Sequence, residues 1–412
     1  MNPFTFHFEM IQGVPVLQLV DSRRKTSTVS LVFRAGYRFD TGYKLGTAHF
    51  FEHLLMKQTS MFSDPIDRLL KLESLGIDAG AYTNLEAGTY NQSQRSQYTR
   101  ESLQMLLRDW RTTEFSQEYI NAERNVIQNE RAEQEDDLML ILSHALTNAL
   151  FPNHPIASPI LGTQQSIGEI ALEDIRRFYK SYYTPENMMI VLLVPEYTDV
   201  QAIVKKEILH IVTARIKVDR QPVDSVVVPE SVISYNGSRS AVGIGFRTVS
   251  VEHPLRDRIA LNILKNYFAN CWSSLFIRRL RHERSLAYWA DGQTHFFLEG
   301  GSLQMLVQCE TSFIDAVREL MLEAVEEVRS GHIDSAIFNV AKEIHLTAIA
   351  EEQADPINLL WERADALLLG IEPDDPEQYW REALTITKEE VLNVARTFLD
   401  QERMVVVVAK GS

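Results

Sequence analysis

The sequence predicts an α+β fold of two homologous domains, each a largely antiparallel sheet packed by helices on one side. Two observations support this prediction: an internal repeat at about half the chain length, and runs of strands and helices without strict βαβ alternation. The 412 residues also exceed the length at which a single hydrophobic core usually stops growing. We therefore expect two cores in one chain.

The repeat is clearest between residues 170–194 and 386–410, which align without a gap. IALEDIRRFYKSYYTPENMMIVLLV and ITKEEVLNVARTFLDQERMVVVVAK each indicate an acidic helix start, an amphipathic helix, a polar turn and an apolar strand. A second pair, VSLVFRAGYRFD (29–40) and AVGIGFRTVSVE (241–252), repeats at a similar spacing. A polar, Pro-containing stretch separates the copies and predicts three parts: an N-terminal domain over 1–213, a linker over 214–231 and a homologous C-terminal domain over 232–412.

Hydrophobic periodicity predicts the individual elements in chain order. Apolar residues three and four apart predict helices over 65–75, 98–110, 117–136, 172–183, 255–270, 313–330 and 376–400. Short runs rich in β-branched and aromatic residues predict strands over 15–20, 28–35, 188–194, 241–247, 302–309 and 404–409.

Charge and composition exclude several classes of protein. The net charge of −15 would repel a phosphate backbone, so we expect no nucleic-acid partner. No run of 18 apolar residues is present, so we expect no membrane span. The two cysteines, Cys271 and Cys309, cannot form a disulfide framework, and the opening residues lack the pattern of a signal or transit peptide. These features predict a cytoplasmic protein.

The most informative stretch is GTAHFFEHLLMKQT, residues 46–59. On a helix His49 and His53 lie one turn apart, and Glu52 falls on the same edge. Two imidazoles at this spacing can both reach one Zn²⁺, with each ring nitrogen about 2.0–2.1 Å from the ion. The competing interpretation is a solvated helix face, but apolar residues fill the rest of this helix, and a buried unpaired triad would be costly.

A catalytic zinc needs a third protein ligand and an open position for water, on which Glu52 is placed to act as a base. The third ligand should be a carboxylate, histidine or cysteine on a separate element. The helix EYINAERNVIQNERAEQEDD (118–137) offers Glu123 and Glu130, which are two turns apart on one face. Val126 and Ile127 suggest that this face is partly buried, so a carboxylate pair there would be costly unless paired or bound to metal.

The two halves are not equivalent at this stretch. The alignment places Asn262, Lys265 and Asn266 opposite the two histidines and the glutamate. The second half therefore retains the helix without the ligands. This asymmetry favours a functional role over a requirement of folding.

Four segments resemble the pitrilysin, insulin-degrading enzyme and mitochondrial-processing peptidase family, M16, and in particular its short two-domain bacterial members. GTAHFFEHLLMKQT is similar to the family's GTAHFLEHMLFKGT, which contains the inverted zinc motif H-x-x-E-H. ERNVIQNER resembles the family's EREVILQEI, which implies that Glu130 is the third Zn²⁺ ligand and that Glu123 supports a histidine or a neighbouring loop. ILGTQQSIGEIALEDIRRFYKSYYTPENMMIVLL (160–193) resembles the end of the family's first domain.

The fourth segment, LFIRRLRHERSLAYWADG (275–292), resembles the family's LFQELREKRGLAYSV. It implies that Arg281 holds the substrate and that Tyr288 stabilises the oxyanion. In the family these residues and the zinc ligands of one active site come from different two-domain units. The resemblance therefore implies a homodimer that encloses a chamber for peptides or unfolded segments.

Two departures from the family pattern affect the surroundings of the site but none of the ligands. Gly80 replaces an asparagine on the strand that resembles the one beside the substrate. FANCW, residues 268–272, replaces a glycine-rich stretch before the Arg/Tyr segment and indicates a changed pocket or interface.

The resemblance implies a zinc-dependent endopeptidase. Glu52 would take a proton from water and pass it to the leaving amine. An extended peptide would add a strand to a sheet edge near residues 79–84. Three alternatives stay open: one subunit of a heterodimeric peptide-processing protease, a non-catalytic scaffold subunit of the same family, and a binding module that uses the acidic surface.

Overall fold

The computed structural model describes residues 4–214, 220–224 and 227–412. The strands are β1 Phe4–Ile11, β2 Val14–Asp21, β3 Thr26–Phe33, β4 Gln58–Thr59, β5 Asp78–Thr83, β6 Gly88–Arg95, β7 Thr113–Glu114, β8 Met188–Val194, β9 Glu230–Tyr235, β10 Ser240–Thr248, β11 Ala287–Phe296, β12 Gly301–Cys309 and β13 Val405–Gly411. The helices are α1 Thr47–Leu54, α2 Pro65–Ser74, α3 Thr99–Arg111, α4 Gln117–Gln134, α5 Leu138–Leu150, α6 Gln164–Glu169, α7 Leu172–Tyr182, α8 Gln201–Glu207, α9 Leu255–Phe268, α10 Ile314–Arg329, α11 Ser335–Ala354, α12 Pro356–Leu369, α13 Pro376–Thr385 and α14 Lys388–Phe398.

The chain forms two compact units. Of the described residues, the first unit contains 4–131, 158–214 and 355–373, and the second contains 132–157, 374–412 and the residues from 220 to 354 apart from 225–226. The units differ from the predicted domains in two segments, because α5 packs in the second unit and α12 in the first. The predicted linker, 214–231, lies partly outside the described residues.

The two units share one sheet topology. The sheet of the first unit has the strand order β1-β2-β8-β3-β6-β5, and that of the second has β11-β12-β10-β13-β9. The order β2-β8-β3-β6-β5 in the first sheet corresponds to β9-β13-β10-β12-β11 in the second, and β1 has no counterpart among the described strands of the second sheet. The one parallel pairing of each sheet falls at the same place, β2 with β8 and β9 with β13. All other neighbours in these sheets are antiparallel. The predicted α+β class with largely antiparallel sheets is confirmed.

Each sheet has a helix on the face opposite its main helical layer. In the first unit one face contributes to a core with residues of α1, α3, α7 and α8, whereas Leu17, Leu19 and Val191 on the other face pack with Leu360 and Leu368 of α12. Strand β8 is buried at every residue because both of its faces are covered. The apolar residues of β8 run without a break, so the sequence predicts a strand buried on both faces but does not indicate which helix packs on each face.

In the second unit the main core contains residues of α9, α10, α11 and α14. Helix α5 lies on the other face, where Leu146 and Leu150 approach two glycines of β10. A Cβ atom at Gly243 would lie 2.6 Å from the Cδ1 of Leu146. The glycine-containing strand therefore allows this helix to approach closely.

Local capping explains one difference from the predicted elements. The predicted helix over 376–400 is two helices, because Thr387 forms a capping box with Glu390 and starts α14 anew. Several elements had no prediction: helices α5, α6, α8, α11 and α12 and strands β1, β6, β9 and β11. Among the described residues no helix is both long and apolar enough to cross a membrane.

Candidate metal centre

Helix α1 is fixed in place at its first turn. Gly46, just before the helix, has a positive φ of 84°, and a Cβ there would lie 2.9 Å from the backbone of Leu161. The buried carboxylate of Asp40 accepts hydrogen bonds from the backbone N–H of Gly46 at 2.7 Å and of Ala48 at 2.8 Å. An anion at a helix N-terminus satisfies otherwise unpaired donors and stabilises the helix dipole.

The three predicted metal ligands lie together. His49 and His53 on α1 face Glu130 on α4, and one donor atom from each lies within 4.8 Å of the others. Nε2 of His49 is 3.7 Å from Oε1 of Glu130, and Nε2 of His53 is 3.5 Å from Oε2. These distances are too long for strong hydrogen bonds and close to the ~3.3 Å between two ligand atoms of one tetrahedral zinc ion.

The protonation preferences of the two imidazoles differ. Burial, together with the neighbouring His53, lowers the pKa of His49 to about 3, so this ring is neutral at physiological pH and can act as a ligand. Burial also acts to lower the pKa of His53, but the Glu123 hydrogen bond and nearby carboxylates outweigh it and raise that pKa overall. A divalent cation between the rings would favour their neutral forms, because it competes with protons for the same nitrogens.

Glu123 contacts His53 at the ring nitrogen that faces away from Glu130. Its Oε2 lies 3.1 Å from Nδ1 of His53, and its Oε1 lies 2.8 Å from the Lys57 ammonium. Although burial acts to raise the pKa of Glu123, the hydrogen bonds to His53 and Lys57 lower it overall. A carboxylate on Nδ1 fixes the ring tautomer that leaves Nε2 free for a metal.

Glu52 lies beside these donors and is held by a different element. The hydroxyl of Thr83, the last residue of β5, donates to Oε2 of Glu52 at 2.7 Å. Burial raises the pKa of Glu52, partly offset by this hydrogen bond and by the charge of His53. A carboxylate with a raised pKa is better suited to accept and return a proton near neutral pH.

A cleft of about 350 Å³ adjoins this carboxylate. Its lining includes Glu52 and His53, the end of α1, part of α2 and residues 79–81 of β5. Strand β5 is the edge of its sheet and pairs only with β6 among the described strands, and its first five residues are exposed.

Gly80 on this strand pairs with Asn91, whose Oδ1 lies 3.1 Å from where a Gly80 Cβ would be. The neighbouring strand therefore supplies an amide close to the position where the resemblance led us to expect an asparagine side chain.

Arg281 and Tyr288 belong to the second unit and lie together there. Arg281 is on a π-helical segment, Ile277–His282, and its guanidinium carbon is 4.4 Å from the Tyr288 ring centroid. Tyr288 is the extra residue in a register shift between Ala287 and Trp289 and is 70% exposed. A β-bulge redirects a side chain out of the regular alternation, which explains the exposure of this tyrosine.

The second unit uses the equivalent helix positions for structural hydrogen bonds. Asn262 accepts from the Thr294 hydroxyl at 2.5 Å, and Asn266 donates to the backbone oxygen of Ala341 at 3.3 Å. Among the described residues His49, His53 and Glu130 form the one group of this kind that could hold a metal ion.

Reasoning from the sequence missed three supporting residues, Asp40, Lys57 and Thr83. Each acts through a contact between elements that are separated in the chain, and a polar residue in a turn or at a strand end has no distinctive pattern. The expectation for Val126 was wrong: it is 48% exposed, whereas Ile127 is buried. The helix face of Glu123 and Glu130 is partly buried, through Glu123 and Ile127, and Val126 lies at its exposed edge.

Comparison with known proteins agrees with the sequence motifs. Residues 16–164 match the family model of insulinase, peptidase family M16, and residues 169–344 match the model of the peptidase M16 inactive domain. An uncharacterized zinc protease of Mycobacterium leprae is 24% identical over 329 residues, 77% of this chain and 72% of that protein. A probable mitochondrial-processing peptidase subunit beta of Arabidopsis thaliana is 33% identical over 171 residues, 40% of this chain and 31% of that protein.

Solved structures show the same fold over the whole chain. A protease from Helicobacter pylori superposes with a TM-score of 0.84 at 18% identity and covers 99% of this chain and 100% of its own. A structure from Pseudomonas fluorescens described as a peptidase M16 inactive domain has a TM-score of 0.86 at 16% identity, with 99% and 98% covered.

Proposed function

Because this chain belongs to peptidase family M16, we propose that it is a zinc-dependent endopeptidase that hydrolyses oligopeptides or unfolded segments. One observation carries the proposal: donor atoms of His49, His53 and Glu130 converge within 4.8 Å. Glu52, on the same helix as the two histidines, supplies a carboxylate beside them.

His49, His53 and Glu130 would hold the Zn²⁺, which when bound acts as a Lewis acid and lowers the pKa of water. Glu52 accepts a proton from the attacking water through Oε1, since Oε2 already accepts from the Thr83 hydroxyl. It then returns the proton to the leaving amine. Thr83 fixes the orientation of this carboxylate, and Glu123 fixes that of His53.

The substrate would bind as an added strand along β5. The exposed edge of β5 lies beside the cleft that Glu52 and His53 line, so a peptide paired there would pass the reacting groups. Main-chain hydrogen bonds give affinity without demanding one sequence. The cleft of about 350 Å³ would receive a side chain next to the cleaved bond.

The proposed active form is a homodimer, in which Arg281 and Tyr288 of one copy complete the metal site of the other. Tyr288 would donate its phenolic hydrogen to the developing oxyanion, and Arg281 would hold the peptide. The exposure of Tyr288 supports this role, because a tyrosine needed only for packing would be buried.

Mixing two inactive variants tests the shared site. Glu52→Gln and Tyr288→Phe each remove one contribution, so each homodimer should have low activity. In a mixed dimer one of the two sites has both intact residues, so random mixing should restore about a quarter of the wild-type rate. Peptide hydrolysis after co-expression or subunit exchange measures this recovery. No recovery in demonstrably mixed dimers would rule out a site built from two copies.

The proposed activity itself is tested by metal analysis combined with cleavage of a mixed peptide library. We expect about one zinc per chain, cleavage at many sites, loss of cleavage with a chelator, and recovery on adding zinc. Cleavage that persists in the metal-free protein would contradict the proposal.

A heterodimeric processing protease is the second candidate. The observation in its favour is the 33% identity to a subunit named beta, whose name implies a companion subunit. Co-expression with a homologous chain would separate the homodimer from the heterodimer, because a heterodimer subunit should be active only with its companion.

We also propose a cytoplasmic location, which the two buried free cysteines favour.

A further inference from the structure

The second unit contains a cavity that the proposed chemistry does not use. It measures about 250 Å³ and lies between the segment after α9 and the edge strand β11. Its lining consists of Ala269, Asn270, Cys271, Trp272, Ile277, Trp289, Ala290 and Asp291. Asp291 is the one carboxylic acid among these described lining residues, which include no lysine, arginine or histidine.

The fold duplication makes this cavity the counterpart of the cleft in the first unit. That cleft lies between the end of α1 and residues 79–81 on the edge strand β5. The cavity lies between the end of α9 and residues 289–291 on the edge strand β11. Because α9 has no metal ligands at the aligned positions, the second unit retains a pocket without the catalytic groups.

The cavity lies next to the two residues that we propose contact the substrate, Arg281 and Tyr288. The guanidinium carbon of Arg281 lies 4.4 Å from the Tyr288 ring and 5.0 Å from the Trp272 ring, so this cation lies close to two aromatic rings. Trp272 also lines the cavity, and 67% of it is exposed. Trp289 follows Tyr288 directly and contributes a second indole to the lining.

We propose that this cavity binds an arginine or lysine side chain of the peptide substrate, at a position away from the cleaved bond. The proposal rests on the proposed peptidase function. Two indoles can cover the aliphatic stem and attract the cationic head, which would reach the Asp291 carboxylate. An apolar side chain would instead remove water from this carboxylate without replacing its hydrogen bonds, which is unfavourable.

The Asp291 carboxylate can bind a cationic ligand, because no cationic side chain among the described residues forms an ion pair with it. Its Oδ2 accepts from the Gln293 amide at 3.0 Å, and among the described residues no cation lies within ion-pair distance of either oxygen. The half-buried Lys265 interacts with Asp291 only at longer range. The net charge of −15 further favours the approach of basic peptides.

Peptide binding to the full-length Glu52→Gln variant tests the proposal without cleavage. The probes are fluorescein-labelled 20-residue neutral peptides with one arginine moved along the chain, and a matched set in which neutral citrulline replaces arginine. At one or more positions we expect arginine to bind about five- to tenfold more tightly in fluorescence anisotropy. Adding Asp291→Asn should remove most of the difference between the two sets, whereas Asp315→Asn, an identical charge change at an exposed residue of α10, should preserve the difference in full.

Trp272→Ala provides a second measurement. Loss of stem packing should weaken the binding of both peptide sets, and loss of the indole's attraction for a cation should weaken the arginine set more. Equal binding of both sets at every position would overturn the proposal, as would a preference for arginine that is as large in the Asp291→Asn variant as without it. An arginine preference that depends on Asp291 in a protein that cleaves no peptide would support this pocket and refute only the peptidase function. Cleavage of the library without any such preference for arginine would support the peptidase function and refute the proposed role of this pocket.

Discussion

Glu52→Gln should lower kcat for peptide hydrolysis by about a thousandfold or more, because general-base catalysis typically contributes 10²–10⁴-fold and we propose that this residue also returns the proton to the leaving amine. Glutamine has nearly the same shape and can still accept the Thr83 hydrogen bond, so the fold should not change. Zinc content should also be unchanged, since Glu52 is not among the three converging residues that we propose as ligands. Steady-state kinetics together with metal analysis of the same preparation measure both effects.

The matched control is Glu118→Gln, an identical change at an exposed residue in the first turn of α4. It should leave both kcat and zinc content unchanged. If Glu52→Gln instead lost zinc, Glu52 would be a ligand rather than a base. Activity close to wild type would exclude it from both roles.

Glu130→Gln should weaken zinc binding by at least about a hundredfold, because it replaces the one anionic residue among the proposed ligands with a neutral amide. Glu123→Gln, two turns earlier on the same helix, should have a smaller effect within the 10–100-fold range typical of residues that orient a ligand. Competition with a chromophoric chelator gives the dissociation constants, and hydrolysis rates should fall in the same order.

Glu133→Gln on the same helix is the control, because this exposed carboxylate is outside the ligand group and the change in net charge is the same. Its zinc affinity should match that of the wild type. Equal zinc affinities for the Glu130 and Glu133 variants would remove Glu130 from the coordination sphere. If Glu123→Gln lowered zinc affinity more than Glu130→Gln did, Glu123 would be the ligand and Glu130 the residue that orients a ligand.

Much of the fold could be predicted because strong local patterns determine it. The repeat at 170–194 and 386–410 corresponds to α7 with β8 and α14 with β13, which occupy matching places in the two sheets. Strand β6 escaped prediction because its buried positions include Gln92 and Gln94, held by hydrogen bonds to Ser102 rather than by apolar packing. Polar residues buried in this way give a strand no alternating apolar pattern.

For the candidate site, helical spacing alone brought His49, Glu52 and His53 to one edge, and their placement on α1 agrees with it. The partner from α4 required the family resemblance, since both Glu123 and Glu130 were compatible with the spacing. The roles of all these residues stay predictions. Contacts such as Thr83 with Glu52 and Lys57 with Glu123 depend on how strands and helices pack, which no local pattern encodes.

The exchange of α5 and α12 has a consequence for how the protein is made. A ribosome releases β1 to β8 long before it synthesises Pro356–Leu369, so one side of the first sheet, including Leu17, Leu19 and Val191, stays uncovered during much of translation. Helix α5 likewise emerges before the strands on which it packs. A fragment cut at the sequence midpoint would lack one of its packing helices, α12 in the first half and α5 in the second. Such fragments should therefore be prone to aggregation. The nascent chain should depend on chaperones that bind unfolded segments until its last third has emerged.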